Sequence, residues 1–311
     1  MTNNRKPMAT SSFQAARRLL FSILAAAVFI PAAATAAASA ASKPIVLPLG
    51  TYADTPLKTI NGVIDGQTIP FIFDTGGGLT LVTPEAAVKL GCQPFGKVTD
   101  FRADGEQISM QRCGPVTLHL GDYKVTGEVG VFDLMGLIRS QVERARKRGH
   151  DVPMPPTTGG LVGLSSFKNQ VITLDYAHDR VIVETPESLK TRIADMRPVN
   201  LRVATHASGS TDLFVQAKAD TGTLWLQLDS GNNGPTGLAP NAIKQLGITL
   251  PKGKSKSIKL DLIGFGEVPV KVIRREMIYD GQLGIGLFRK LILTIDLKHG
   301  HAWAAFAEAG S

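Results

Sequence analysis

One pattern is written twice along this chain, and it calls for a fold of two like halves. The first copy reads Ile69-Pro70-Phe71-Ile72-Phe73-Asp74-Thr75-Gly76, then Thr83-Pro84-Glu85-Ala86 through to Leu90-Gly91. The second reads Leu224-Trp225-Leu226-Gln227-Leu228-Asp229-Ser230-Gly231, then Ala239-Pro240-Asn241-Ala242 through to Leu246-Gly247. Aspartate and proline are ten positions apart in one copy and eleven in the other. The copies also close alike, on Val162-Gly163, Phe167 and Thr173-Leu174-Asp175 or on Leu283-Gly284, Phe288 and Thr294-Ile295-Asp296. Self-similarity kept in one order over this length marks a duplicated structural unit.

Local chemistry says what each unit contains. Phe71–Phe73 and Leu224–Leu228 are short apolar runs that stop at Asp-Thr/Ser-Gly, the mark of strands ending in tight turns. Pro84 and Pro240 suit a first helical residue, Thr83 can cap the helix ahead of it, and Gly91 and Gly247 end these helices. Val171–Leu174 and Leu291–Ile295 are rich in β-branched and aliphatic residues, and read as strands. Each copy is therefore a mostly β lobe with one or two short helices. Glu184–Asn200, with Pro186 and Pro198, reads as the connection between them. The chain divides into residues 41–185, a linker at 186–200, and 201–311.

Composition narrows the function classes. With 43% hydrophobic and 19% charged residues, the 311-residue chain can bury a sizeable core and is not a disordered polyelectrolyte. Residues 1–40 hold Arg5, Lys6, Arg17 and Arg18, no acidic residue, an apolar run from Leu19 to Ile30, and small-x-small sites at Ala34-Thr35-Ala36 and Ala38-Ser39-Ala40. That is the layout of an export signal cleaved near Ala40, which implies a periplasmic or secreted protein, or a membrane-anchored one if the signal stays. Arg17-Arg18 also loosely matches a twin-arginine signal, so the export route is open. Much of the remaining positive charge sits in one place, with Arg139, Arg144, Arg146, Lys147 and Arg148 set against Glu143. The rest is nearly neutral, which excludes a nucleic-acid-binding face. Two cysteines, Cys92 and Cys113, are too few for a cysteine-built zinc site. In an oxidising compartment they are candidates for one disulfide, the alternative being two reduced buried thiols. The six histidines show no ligand cluster, so neither metal nor cofactor is expected.

The duplicated turns carry the chemistry. A lone Asp-Ser-Gly is weak evidence, but two of them ending strands in matching lobes can bring Asp74 and Asp229 together on a pseudo-twofold axis. Carboxylates that close cannot both ionise cheaply, so they share one proton and titrate as a pair. One can act as general base on a water while the other protonates a carbonyl. The glycines allow close backbone approach, and the Thr75 and Ser230 hydroxyls can lock the loops across the axis.

These turns, the Pro-x-Ala helices and the aliphatic-Gly pairs together resemble the retropepsin/pepsin family of aspartic endopeptidases, over roughly Leu57 to Phe306. The resemblance implies an all-β, bilobal acid protease fold, two pseudo-twofold-related lobes with short helices. It implies that Asp74 and Asp229 are the catalytic pair, with Thr75, Gly76, Ser230 and Gly231 supporting their loops. Val162-Gly163 and Leu283-Gly284 match the structural element behind each loop. Gly77-Gly78 and Asn232-Asn233 depart from the family's usual Ala/Ser and Ser/Thr, and Asn232 is a candidate for a left-handed turn residue.

The lobes differ in two places. Between Gly91 and a next strand expected at Val116, the first lobe holds a longer stretch than the second, with an Asp104-Gly105 hairpin signal. A flap over the cleft belongs here, with Phe101, Asp104 and Gly105 as flap or substrate-binding residues and a Cys92–Cys113 bridge at its base, leaving the tip mobile; the alternative is an ordinary surface hairpin. The other insertion, Leu134–Thr158, reads as a short amphipathic helix around Leu137, Ile138 and Val142, stopped by Pro153, Pro155 and Pro156. Its cations most simply form a solvated face; sharper options are peripheral contact with anionic membrane lipid, an acidic partner, or an exposed self-processing site. The expected activity is hydrolysis of peptide or protein substrates by a monomer. The competing readings are a non-catalytic peptide-binding module of the same fold and an envelope protein acting through the basic insert.

Overall fold

The computed structural model describes residues 43–307, so the export-signal reading of residues 1–40 falls outside them. The body is built mostly of strands, hydrogen-bonded into two sheets. Each predicted strand is present and somewhat longer than its apolar run: Gln67–Phe73, Gly222–Leu228, Val171–Asp175 and Leu291–Asp296. The short helices begin at the two prolines, as Pro84–Lys89 and Pro240–Gln245. Thr83 caps the first through its side chain, and Gly91 and Gly247 follow both with φ of +66° and +61°.

The two lobes repeat one wiring. Strand Gln67–Phe73 runs parallel to Gly160–Val162, pairing Phe73 with Val162; Gly222–Leu228 runs parallel to Gly281–Leu283, pairing Leu228 with Leu283. The lobes are then joined by a sheet to which both contribute. Val171–Asp175 pairs antiparallel with Leu291–Asp296, and Thr173 faces Thr294. Those threonines occupy equivalent positions in the two copies, so the pseudo-twofold axis passes between them. Their hydroxyls meet at 2.8 Å, fully buried. A common core runs beneath, where Tyr176 of the first lobe packs on Phe288 of the second at 5.2 Å between ring centroids.

Two expectations need correction, and the connection between lobes gains detail. The stretch after Gly91 contains a strand of its own, Phe95–Phe101, and its partner starts at Gln107 and runs to Leu120 rather than beginning at Val116. The inserted helix is longer than its apolar spacing indicates, Leu134–Lys147, because Asp133 caps it by accepting from Gly136 N–H at 2.7 Å. It stops at Lys147, shortly before Gly149 with φ of +84° and ahead of all the prolines. The connection between lobes is itself folded, with a helix at Pro186–Ile193 held by a Thr185–Ser188 capping box and a strand pair, Arg197–Pro198, on the joining sheet.

Cys92 and Cys113 are bonded, their Cα atoms 5.9 Å apart and 21 positions apart in sequence. Closing a loop of that length restricts the unfolded chain, by about 3 kcal/mol in chain-entropy terms. The Cys92→Ala/Cys113→Ala double variant is therefore expected to unfold at lower urea concentration, with a stability loss of about 2–4 kcal/mol. Equilibrium denaturation followed by tryptophan fluorescence checks it.

Candidate active site

The joint between the lobes is made by the residues that follow the two aspartates. Thr75 N–H donates to Ser230 Oγ at 3.0 Å, and Ser230 N–H donates to Thr75 Oγ1 at 3.0 Å. Each hydroxyl then reaches across the axis to the last strand carbonyl of the other lobe: Thr75 Oγ1 to Leu228 O at 2.8 Å, Ser230 Oγ to Phe73 O at 3.3 Å. Both residues are completely buried. Behind them the aliphatic-Gly pairs hold the loops, with Asp74 N–H donating to Val162 O at 3.1 Å and Asp229 N–H to Leu283 O at 2.9 Å. Gly163 and Gly284 leave no room for a side chain, because a Cβ there would strike the Gly78 and Asn232 carbonyls.

This lock sets Asp74 and Asp229 side by side. Gly76 N–H donates to Asp74 Oδ1 at 2.8 Å, and Gly231 N–H is shared between Asp229 Oδ1 at 2.7 Å and Asp74 Oδ1 at 3.2 Å. A Cβ on Gly76 would fall against the Asp229 carboxyl, and one on Gly231 against that of Asp74. Burial holds the Asp229 carboxyl well above the ordinary aspartate value; the neighbouring Asp74 charge and a hydrogen bond with Asp74 add to it, while the Gly231 and Asn232 amides oppose it. A pair this close and this buried favours the singly protonated form, its two carboxyls titrating together.

The pair lies on the floor of a cleft of about 540 Å³. Its roof is the hairpin of strands Phe95–Phe101 and Gln107–Leu120, turning at Gly105 with φ of +83°. Phe101 and Asp104 line the cleft; Gly105 shapes the turn and packs toward Ile278 instead. The tip is not free, since Ile278 N–H of the second lobe donates to Ala103 O at 2.9 Å. One side wall is the inserted helix, whose Leu134, Leu137 and Gln141 face the cleft, so the insert is more than a solvated charged face. Asn232 does not adopt a left-handed conformation. Its Oδ1 accepts from Gly234 N–H at 3.0 Å, which forms the turn with ordinary backbone, and Gly78, with φ of +59°, takes the left-handed position in the other loop.

Several cleft residues escape a motif search: Asp212, Gln227, Gln282 and Tyr279. Gln227 and Gln282 had a readable signal, because they are polar where the first copy has Ile72 and Leu161. Asp212 and Tyr279 belong to no repeated motif. The Tyr279 phenol is pushed up to about 12 by burial and by the charges of Asp212, Asp100 and Asp229, which line the same cleft.

Comparisons with known proteins agree with this geometry. Residues 60–165 match the family described as aspartyl protease. The fold is shared with the basic 7S globulin from soybean, at a TM-score of 0.52 and 11% identity over 85% of this chain and 95% of that one. Conglutin gamma, a basic 7S globulin from lupine seeds, matches with a TM-score of 0.53 at the same identity and coverage. No curated protein matches by sequence. Residues 60–165 are thus similar to aspartyl proteases, and the described chain has a bilobal, pepsin-like β fold.

A carboxyl that holds its proton more tightly when folded gives most stability while protonated and loses it as pH rises through its folded value. The parent is expected to lose stability relative to Asp229→Asn as pH climbs above the ordinary aspartate value of 3.8. Urea midpoints of the two proteins across that range check it; a gap independent of pH would mean Asp229 holds no such proton.

Proposed function

We propose that this protein is an aspartic endopeptidase, exported from the cytoplasm, that hydrolyses peptide bonds in an extended substrate lying beneath the hairpin. One observation carries the reading: two carboxyls from equivalent loops lie side by side at the floor of a cleft of about 540 Å³ roofed by the hairpin. In the proposed cycle, Asp74 takes a proton from a water as the water oxygen attacks the scissile carbonyl carbon. Asp229 gives its proton to the carbonyl oxygen, so that a neutral gem-diol forms. The proton on Asp74 then passes to the amide nitrogen, the C–N bond breaks, and a gem-diol hydroxyl returns a proton to Asp229. The carboxylic acid and amine leave, and the pair ends as it began.

The closed roof serves this chemistry by keeping other water out, and the Ala103–Ile278 bond must open to admit substrate. The Cys92–Cys113 bridge supports an oxidising compartment, in line with the export-signal pattern of residues 1–40. Among the described residues no helix is long and apolar enough to cross a membrane. A single chain provides both halves of the pair, so a monomer suffices. The exposed cations of the inserted helix remain available for an anionic lipid surface.

Asp74→Asn and Asp229→Asn are each expected to cut hydrolysis of an unfolded protein substrate by about 10²–10⁴-fold, the range for loss of a general acid or base. Circular dichroism should show the fold retained. Parent protein that binds peptides but never cleaves them, and ignores a hydroxyl-bearing transition-state analogue, would instead establish the peptide-binding module.

A further inference from the structure

The pair uses two of the carboxyls in the cleft and leaves a buried third without a role. Asp212 is only 5% exposed, yet its side chain lines the cleft. Burying a carboxylate is costly unless its oxygens are well partnered. Here a chain of amides fixes it: Gln227 Nε2 donates to Asp212 Oδ1 at 3.0 Å, and Gln282 Nε2 donates to Gln227 Oε1 at 2.9 Å. The other oxygen, Oδ2, accepts from His206 Nε2 at 2.7 Å. Each carboxylate oxygen has a second lone pair, so a firmly oriented group retains capacity for another donor. Asp100, on the hairpin, lies near enough for its charge to push the Asp212 carboxyl further up, beyond the effect of burial and against the pull of His206 and Gln227. Asp100 is itself tied to the second lobe, its Oδ2 accepting from Ser208 Oγ at 3.2 Å. Two carboxyls from opposite lobes therefore flank the cleft beside Tyr279.

The surrounding charge is lopsided. Six carboxyls line the cleft against two guanidinium groups, Arg102 and Arg275; Arg102 is paired with Glu106 at 3.2 Å, while His206 borders Asp212 and Arg274 pairs with Glu276 at 3.5 Å. The same cleft also contains an unpaired buried donor. Asn232 is 9% exposed and lines it, and with Oδ1 committed to Gly234 N–H its Nδ2 must be the free donor; it has no partner. A buried donor left unpaired is destabilising, and a peptide carbonyl would satisfy it.

Building on the peptidase reading, we propose that this cleft contains a cation-selecting subsite, in which Asp212, with Asp100 opposite, receives the arginine or lysine side chain of a bound peptide. A guanidinium suits the site because it donates several hydrogen bonds in one plane to fixed carboxylate oxygens. The substrates are thus basic peptides, and the cleft's excess negative charge draws them in.

The test uses fluorescein-labelled octapeptides in which one arginine is walked through every position, each paired with the citrulline peptide of the same shape and no charge. Binding to the full chain is read by fluorescence anisotropy, and cleavage by mass spectrometry. At one or two positions arginine should bind about tenfold more tightly than citrulline, and Asp212→Asn should bring that ratio below about twofold. Asp100→Asn, on the hairpin rather than in the buried network, should lower it part of the way; this variant carries the test if Asp212→Asn loses the parent's thermal transition. An arginine-to-citrulline ratio near one at every position of the parent would overturn the subsite, as would a ratio undiminished in folded Asp212→Asn. Cleavage without arginine preference would leave the peptidase standing and remove the subsite. Arginine-selective binding without cleavage would do the reverse.

Discussion

The reciprocal hydrogen bonds between Thr75 and Ser230 are the constraint from which the rest of the site follows. A hydroxyl both donates and accepts, so each of these two can receive the other loop's N–H and bond the other lobe's strand carbonyl at once. Four buried hydrogen bonds result, each contributing about 1 kcal/mol net but far more costly to break without a substitute. Water cannot supply that substitute, because both residues are fully buried. The two loops therefore cannot slide apart independently, and the carboxyls one residue upstream are held in contact.

The same axis organises the joining sheet, where Thr173 meets Thr294. Loops and sheet are thus two layers keyed to one symmetry, and an error in one would strain the other. This redundancy explains how so short a motif produces a defined carboxyl pair. The strand register and the hydroxyl lock both tie the lobes together across the axis.

Away from the axis the symmetry is abandoned. The roof and the inserted helix come from the first lobe; the His206–Asp212–Gln227–Gln282 chain comes from the second. The centre is symmetric because the two loops bond each other reciprocally across the axis, whereas the walls are built from segments that the two lobes do not share.

Duplication, strand and helix identities, the paired aspartates and the hairpin could be read from the chain because each depends on neighbours a few residues away: an apolar run, a proline at a helix start, a glycine where no side chain fits. Asn tolerates left-handed turns, but Asn232 forms its turn through its own side chain, and Gly78 carries the positive φ in the other loop. The inserted helix was read too short because its spacing shows the apolar stripe and not the Asp133 cap. Beyond such local signals the letters fall silent. The meeting of Asp100 with Ser208, the closure of Ala103 on Ile278, and the place of Asp212 beside the pair all join residues remote in sequence, and only the packing of two lobes about one axis settles which side chains share a cleft.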